Sequence, residues 1–252
     1  MMLRKQYLFY ILIVGITIVV LSSCSSSKKT EIQSKHSLVK AVVFQKNPCF
    51  GNCAVYKLTT YYSGLAILEA KDHLDKKGVY YTDLSEASNS AIQKNIKRIN
   101  WTTYKDKYFM NLPDLPSTDL NIYSPEGLEL KKINSNAKLP DEIYTFQQEL
   151  NELVRTQKWT QIQKKDDVIN PEVDYSKIQV DMDSSVSVQK VQEHFMPYNL
   201  MPEKRLSQFM NLWLMSFDES KIGKYEMLII LRKYPGVRSV SFNRKLLPRM
   251  DE

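Results

Sequence analysis

The chain has 252 residues, 25% of them charged, and a formal net charge of +7. Seven Gly and ten Pro are too few for a collagen-like or low-complexity chain, three Cys cannot build a disulfide scaffold, and 43% hydrophobic residues can bury a core. The length fits one large or two small domains, and the positive charge points to an anionic partner only where it is concentrated.

Arg4 and Lys5 precede an uncharged apolar run over residues 7–21. A membrane-spanning helix needs ~20 apolar residues, so this run is short for a permanent anchor and has the build of an export signal. Leu21-Ser22-Ser23-Cys24 closes it. A branched apolar residue, two small residues and a Cys in that place resemble the lipobox of a bacterial lipoprotein. The resemblance implies removal of residues 1–23 and lipidation of the Cys24 sulfur, with an uncleaved helix or an ordinary signal peptide as the alternatives. Stable anchoring takes two or more acyl chains, at ~0.8 kcal/mol per buried CH₂, and a lipoprotein N-terminus carries that many. Ser25 follows the Cys where retention in the inner membrane would call for Asp. By the same resemblance this implies the outer membrane of a Gram-negative bacterium. Residues 24–36 then read as a lipidated polar tether without an apolar period.

Residues 37–160 read as an α+β domain. Leu38, Val42, Val43 and Phe44 suggest a strand, and 54–62, rich in Tyr, Thr, Val and Leu, a second. Ser63-Gly64 turns the chain into a returning strand over 65–70, and 79–82 is a further short strand. Asp83 or Ser85 can cap a helix whose Leu84, Ala87, Ala91, Ile92, Ile96 and Ile99 fall at helical spacing. Residues 121–123 and 128–133 flank Pro125-Glu126-Gly127 as another hairpin. Pro140 opens a helix with Ile143, Phe146, Leu150, Leu153 and Val154 on its buried stripe. Hairpins separated by helices predict an antiparallel sheet with helices packed on it.

Pro48-Cys49-Phe50-Gly51-Asn52-Cys53 interrupts the first two strands. After export both thiols meet an oxidising compartment, and Gly51 and Asn52 allow a tight turn, so Cys49 and Cys53 are expected to pair. So small a loop gives ~2 kcal/mol by chain entropy. A redox-active pair would sooner show two intervening residues than three, and a zinc site would need His at ligand spacing. The segment from Pro48 to Tyr56 resembles the opening of a bacterial domain-of-unknown-function family with a Pro-Cys-Phe-Gly-x-Cys-Pro-x-Tyr pattern, often found in lipoproteins. Thr118-Asp119-Leu120, Leu139-Pro140 and Trp159 stand where that family's later features are expected, although Ala54 replaces its second Pro. The likeness spans roughly residues 40–160 and implies a fold but no chemistry.

Residues 161–174, polar and broken by Asn170-Pro171, read as a linker. Over 175–250, Ile178, Val180 and Met182 alternate as a strand, and Asp183 or Ser184 can cap a helix with Val188, Val191 and Phe195 on one face. A strand between Leu200 and Phe209, another over 211–217, a helix over 222–234 announced by Asp218 and Ser220, and a strand over 237–242 complete the order βαββαβ, a small ferredoxin-like domain. Trp213 to Asp218, Tyr234-Pro235-Gly236-Val237 and Val240 to Arg244 resemble the propeptide domain of subtilisin-like proteases. The resemblance implies that Lys245, Leu246, Leu247, Pro248 and Arg249 form a tail that enters a protease cleft.

No Gly-rich phosphate loop, HExxH or GxSxG occurs. His73 and His194 are isolated, and Asp181-x-Asp183 lacks the Gly and distal Glu of a calcium loop. Much of the net charge lies in the signal (Arg4, Lys5) and tether (Lys28, Lys29, Lys35 against Glu31), which leaves the folded part nearly balanced and argues against nucleic acid. The expected protein is therefore a lipid-anchored envelope module with no catalytic residue, metal or cofactor. It would bind the membrane through its anchor and an envelope protein or polymer through its folded part. The second reading is an inhibitor or folding assistant of a subtilisin-like protease.

Overall fold

In the computed structural model, the described residues are 38–112, 114–165 and 172–245. The signal, the tether with Cys24, and Leu246, Leu247, Pro248 and Arg249 of the tail lie outside them. The described chain is an α+β fold with two sheets and four helices.

The first sheet contains β1 (Lys40–Lys46), β2 (Val55–Tyr61), β3 (Leu65–Asp72), β4 (Gly78–Asp83), β5 (Lys107–Tyr108), β6 (Thr118–Tyr123), β7 (Glu129–Ser135) and β8 (Thr160–Lys164). Their order is β5-β7-β6-β1-β2-β3-β4-β8. All pairs are antiparallel except the two-residue β5, which runs parallel to β7. Two helices, α1 (Glu86–Arg98) and α2 (Asp141–Thr156), cover one face. The Ser85 hydroxyl caps α1 by accepting the Ser88 amide at 3.2 Å. Glu86 in its first turn and Lys97 and Arg98 in its last suit the helix dipole. Pro140 stands at the start of α2, where a missing N–H costs nothing. Phe44, Leu58, Leu68, Leu120 and Ile133 of the strands bury against Ile96, Phe146 and Leu150 of the helices.

The second sheet contains β9 (Val173–Met182), β10 (Met201–Arg205), β11 (Asn211–Ser216) and β12 (Val237–Arg244), with α3 (Val188–His194) after β9 and α4 (Lys224–Arg232) after β11. Its antiparallel order, β10-β11-β9-β12, makes the first and last strands of the βαββαβ unit neighbours, which is the ferredoxin-like arrangement. Ile178, Val180 and Met182 bury towards the helices, as their alternation predicts.

Three features depart from the sequence reading. The linker expected over 161–174 is in its first part a strand: β8 pairs with β4 and ends the first sheet. A glycine permits that closure, because a Cβ on Gly78 would meet the Gln163 carbonyl oxygen at 2.3 Å. The helix starts also move. Ser187 rather than Asp183 or Ser184 precedes α3, and Gly223 rather than the 218–220 segment precedes α4. Asp183 and Asp218 instead close turns, the first through its carbonyl to the Val186 amide and the second through its carboxylate to the Ser220 amide and hydroxyl.

The third departure joins the units. The spacing of Ile222, Tyr225, Leu228, Ile229 and Leu231 predicts one apolar stripe on α4, yet the helix is buried on two sides. Met227, Leu228 and Leu231 face its own sheet, whereas Tyr225 and Ile229 pack on Tyr61, Leu65, Ile67 and Val79 on the back of the first sheet. The Tyr61 hydroxyl donates to Glu226 Oε1 at 2.6 Å, and Lys233 pairs with Asp83 at the rim. Burial and the Glu226 carboxylate push the Tyr61 phenol well up, so it stays a neutral donor. Covering both faces explains why β2 and β3 are buried almost throughout.

Candidate functional site

The register of the first sheet brings one end of five strands into line. Lys46 pairs with Tyr56 on one side and with Thr118 on the other; Thr118 pairs with Ser135, and Ser135 with Tyr108. The segments that leave the strands beyond this row therefore gather: 47–54 with the two Cys, 109–112 and 114–117, and 136–140 ahead of α2.

Backbone bonds tie these segments together. The Asn47 amide donates to the Ser117 carbonyl at 2.9 Å, and the Phe50 amide to the Asp114 carbonyl at 3.3 Å. Cys49 and Cys53 stand at disulfide distance, with Cα atoms 5.9 Å apart, as the sequence predicts. Gly51 takes φ +131° between them, a conformation that a side chain would strain although nothing crowds the position. The Asn136 side chain brackets Met110: its Oδ1 accepts the Met110 amide at 2.8 Å and its Nδ2 donates to the Met110 carbonyl at 3.2 Å.

This scaffold holds large apolar side chains in water. Phe50 is 89% exposed, Phe109 55%, Leu112 53% and Met110 49%. Large apolar side chains left exposed on segments that the fold ties together are candidates for an interaction surface.

Two polar arrangements flank the cluster. On the back of the sheet, Asn47 Nδ2 donates to Asp119 Oδ2 at 2.8 Å and to the Ser117 hydroxyl at 3.1 Å, Gln45 donates to Asn47 Oδ1, and Asn134 donates to the other oxygen of Asp119. On the front, a groove of about 530 Å³ runs between α2 and the strand ends, with Phe44 and Leu139 in its lining and Lys46 and Lys138 among its cations. Gln147, nearly buried, donates to the Thr118 hydroxyl at 3.2 Å, and the Tyr56 hydroxyl donates to Asn151. Burial pushes the Tyr56 phenol up, so it too remains a donor. Ser135 is engaged in a local turn, donating to the Ala137 carbonyl at 2.8 Å and accepting the Ala137 amide. The arrangement offers hydrogen bonds, cations and apolar surface, which is the equipment of binding.

The other sequence candidates are dispersed. Lys245 follows β12, its amide bonded to the Glu172 carbonyl at 2.7 Å. His194 is exposed and lies against the Phe195 and Tyr234 rings, at centroid distances of 4.7 and 4.9 Å. It lines a second open groove, of about 850 Å³, with Lys190, Tyr198 and Lys233. His73 lies 3.6 Å from Asp72. Asp181 and Asp183 meet Arg238, at 2.6 and 3.8 Å, instead of forming a cation loop. Among the described residues no group of His, Cys, Asp or Glu could hold a metal, and no helix is long and apolar enough to cross a membrane. The sequence reading missed Phe109, Met110, Leu112 and Asn136. For the first three the signal is the apolar-rich stretch Tyr108-Phe109-Met110-Asn111-Leu112, which obeys no helix or strand period, and nothing in the sequence singles out Asn136.

Residues 40–154 are covered by a domain of unknown function, DUF6438, which extends from β1 to near the end of α2 and includes the paired Cys and the apolar cluster. No curated protein matches the chain, and no solved structure does.

Proposed function

We propose that the protein is a lipid-anchored, non-enzymatic binding module of the cell envelope, delivered by the signal over residues 1–23, tethered through Cys24 and sorted to the outer membrane. The observation that carries the reading is the exposed apolar cluster on a cross-linked scaffold. A protein that keeps Phe50 almost wholly in water, on a loop closed by two Cys, uses that surface for contact, and a paired Cys suits an oxidising compartment. Two measurements test it. Palmitate should label the wild type and not Cys24→Ala; equal labelling contradicts the anchor. Phe50→Trp should shift its emission to the blue when envelope extract is added; an unchanged emission contradicts the surface.

A second reading rests on the βαββαβ unit and its resemblance to protease propeptides. Its support is the strand order β10-β11-β9-β12, with β12 leading directly into Lys245 and the tail. On this reading the chain inhibits a subtilisin-like protease or assists its folding. The full chain and one truncated after Lys245 should then differ in inhibition of such a protease. Absence of inhibition by either removes the reading.

A further inference from the structure

We propose that the disulfide end of the first sheet is a membrane-docking surface: Phe50, Phe109, Met110 and Leu112 enter the interface of an anionic bilayer while nearby lysines meet its headgroups. The proposal rests on the lipid-anchored reading and adds which face of the folded part meets the lipid. Side chains of this type, large, apolar and carried at a loop end, are those that bury a few ångströms into the headgroup boundary.

The surroundings have the matching charge. Lys46, Lys107 and Lys138 belong to the same strand ends and loops and Lys105 lies just ahead of β5, and none of the four makes an ion pair among the described residues. The acids there are Asp106, which is neutralised by Lys131 at 2.5 Å, with Asp114, Asp141 and Asp119, whose carboxylate accepts from the Asn47 and Asn134 side chains. Each lysine near an anionic surface adds attraction, so four lysines against three unpaired acids, an excess of one, help to orient a body already held by lipid.

The geometry also permits it. Chain from the tether reaches β1 at Lys40, whereas the cluster lies beyond Lys46, at the other end of that strand. The strand is ~20 Å long, and the roughly fourteen residues between Cys24 and Leu38 reach at most ~50 Å. Cys24 and the cluster can therefore occupy one bilayer surface together. Anchoring at a second point converts a freely tumbling domain into an oriented one, because a tethered site acts at high effective concentration.

The test uses residues 24–252 with Cys24→Ala, which retains every described residue and removes the lipid. This protein should float with vesicles of phosphatidylglycerol and phosphatidylethanolamine, and at least tenfold less with phosphatidylcholine vesicles. The triple variant Phe50→Ser, Phe109→Ser, Leu112→Ser should lose at least tenfold in binding, with unchanged circular dichroism, while Phe209→Ser binds as the parent does. Lys46→Gln with Lys138→Gln, which leaves the apolar cluster intact, should lose the preference for anionic vesicles. No flotation of the parent, or equal flotation of the triple variant, overturns the proposal. So does a triple variant that floats normally but loses an envelope protein, which would assign the surface to protein docking. Because this chain carries no acyl group, its failure to float would leave the Cys24 anchor untouched, and palmitate labelling decides that anchor separately.

Discussion

Two clusters of exposed apolar side chains, one in each unit, differ in what holds them. The cluster of Phe50, Phe109, Met110 and Leu112 draws on two chain segments far apart in sequence, fixed by the paired Cys, by the Asn47 and Phe50 amides and by Asn136. The cluster of Leu206, Phe209 and Met210 sits on one hairpin between β10 and β11. There the Ser207 hydroxyl accepts the Phe209 and Met210 amides at 3.2 and 3.1 Å, and the Leu206 amide donates to the Leu212 carbonyl at 2.8 Å. Phe209 is even more exposed than Phe50, at 97% against 89%. Exposure alone therefore does not single out a site. Long-range constraint does, because a surface ordered before contact loses less entropy on binding.

The comparison can be broken at several levels. The largest effect is expected where the units join. Tyr61→Ala removes a buried ring and its bond to Glu226, and should cost about 3–5 kcal/mol in urea unfolding. A loss below about 1 kcal/mol would mean that α4 contributes little by sitting on the first sheet. Next, replacing Cys49 and Cys53 together by Ser should cost about 2 kcal/mol, whereas Phe209→Ser should stay within about 0.5 kcal/mol. Equal costs would erase the distinction between a constrained and a local cluster. Asn136→Ala should follow at about 1 kcal/mol, with faster amide exchange at Met110 as its local signature.

The smallest expected effect concerns pH. The Tyr104 hydroxyl, 2.6 Å from Glu142 Oε2, and the Arg98 guanidinium hold the Glu142 carboxyl below its usual range. A lowered carboxylate pKa stabilises fully above the unfolded value and is lost as pH falls through the folded one. Glu142→Gln should therefore flatten the decline of Tm on acidification from about pH 6 to about pH 3. An unchanged acid limb would show that this pair contributes nothing to folding.

Much of this architecture was legible in the sequence. The cap signals at Asp183, Ser184 and residues 218–220 stand ahead of the true helix starts at Ser187 and Gly223, whereas the alternation of Ile178, Val180 and Met182, the Ser85 cap and the Pro140 helix start are local signals that the fold keeps. The Cys49 and Cys53 pairing was legible for the same reason, since the partners stand only four positions apart. What escaped was set by distant contacts. Nothing in Thr160 to Lys164 announces a strand, because its pairing depends on β4 and on the missing side chain of Gly78. The second buried side of α4 depends on the back of a sheet more than a hundred residues earlier. The apolar cluster escaped because the loop of Phe50 meets the segment of Phe109, Met110 and Leu112 only once β1, β6, β7 and β5 are in register.

The most direct test compares the depth of the two clusters in a bilayer. Phe109→Trp and Phe209→Trp, each placed in the Cys24→Ala chain, are mixed with anionic vesicles containing brominated lipids, and the signal of the native Trp residues is subtracted. Quenching of the residue at 109 with a blue-shifted emission, and none at 209, is the predicted result. No quenching at 109, or equal quenching at both positions, would contradict the assignment of the disulfide end as the surface that meets the membrane.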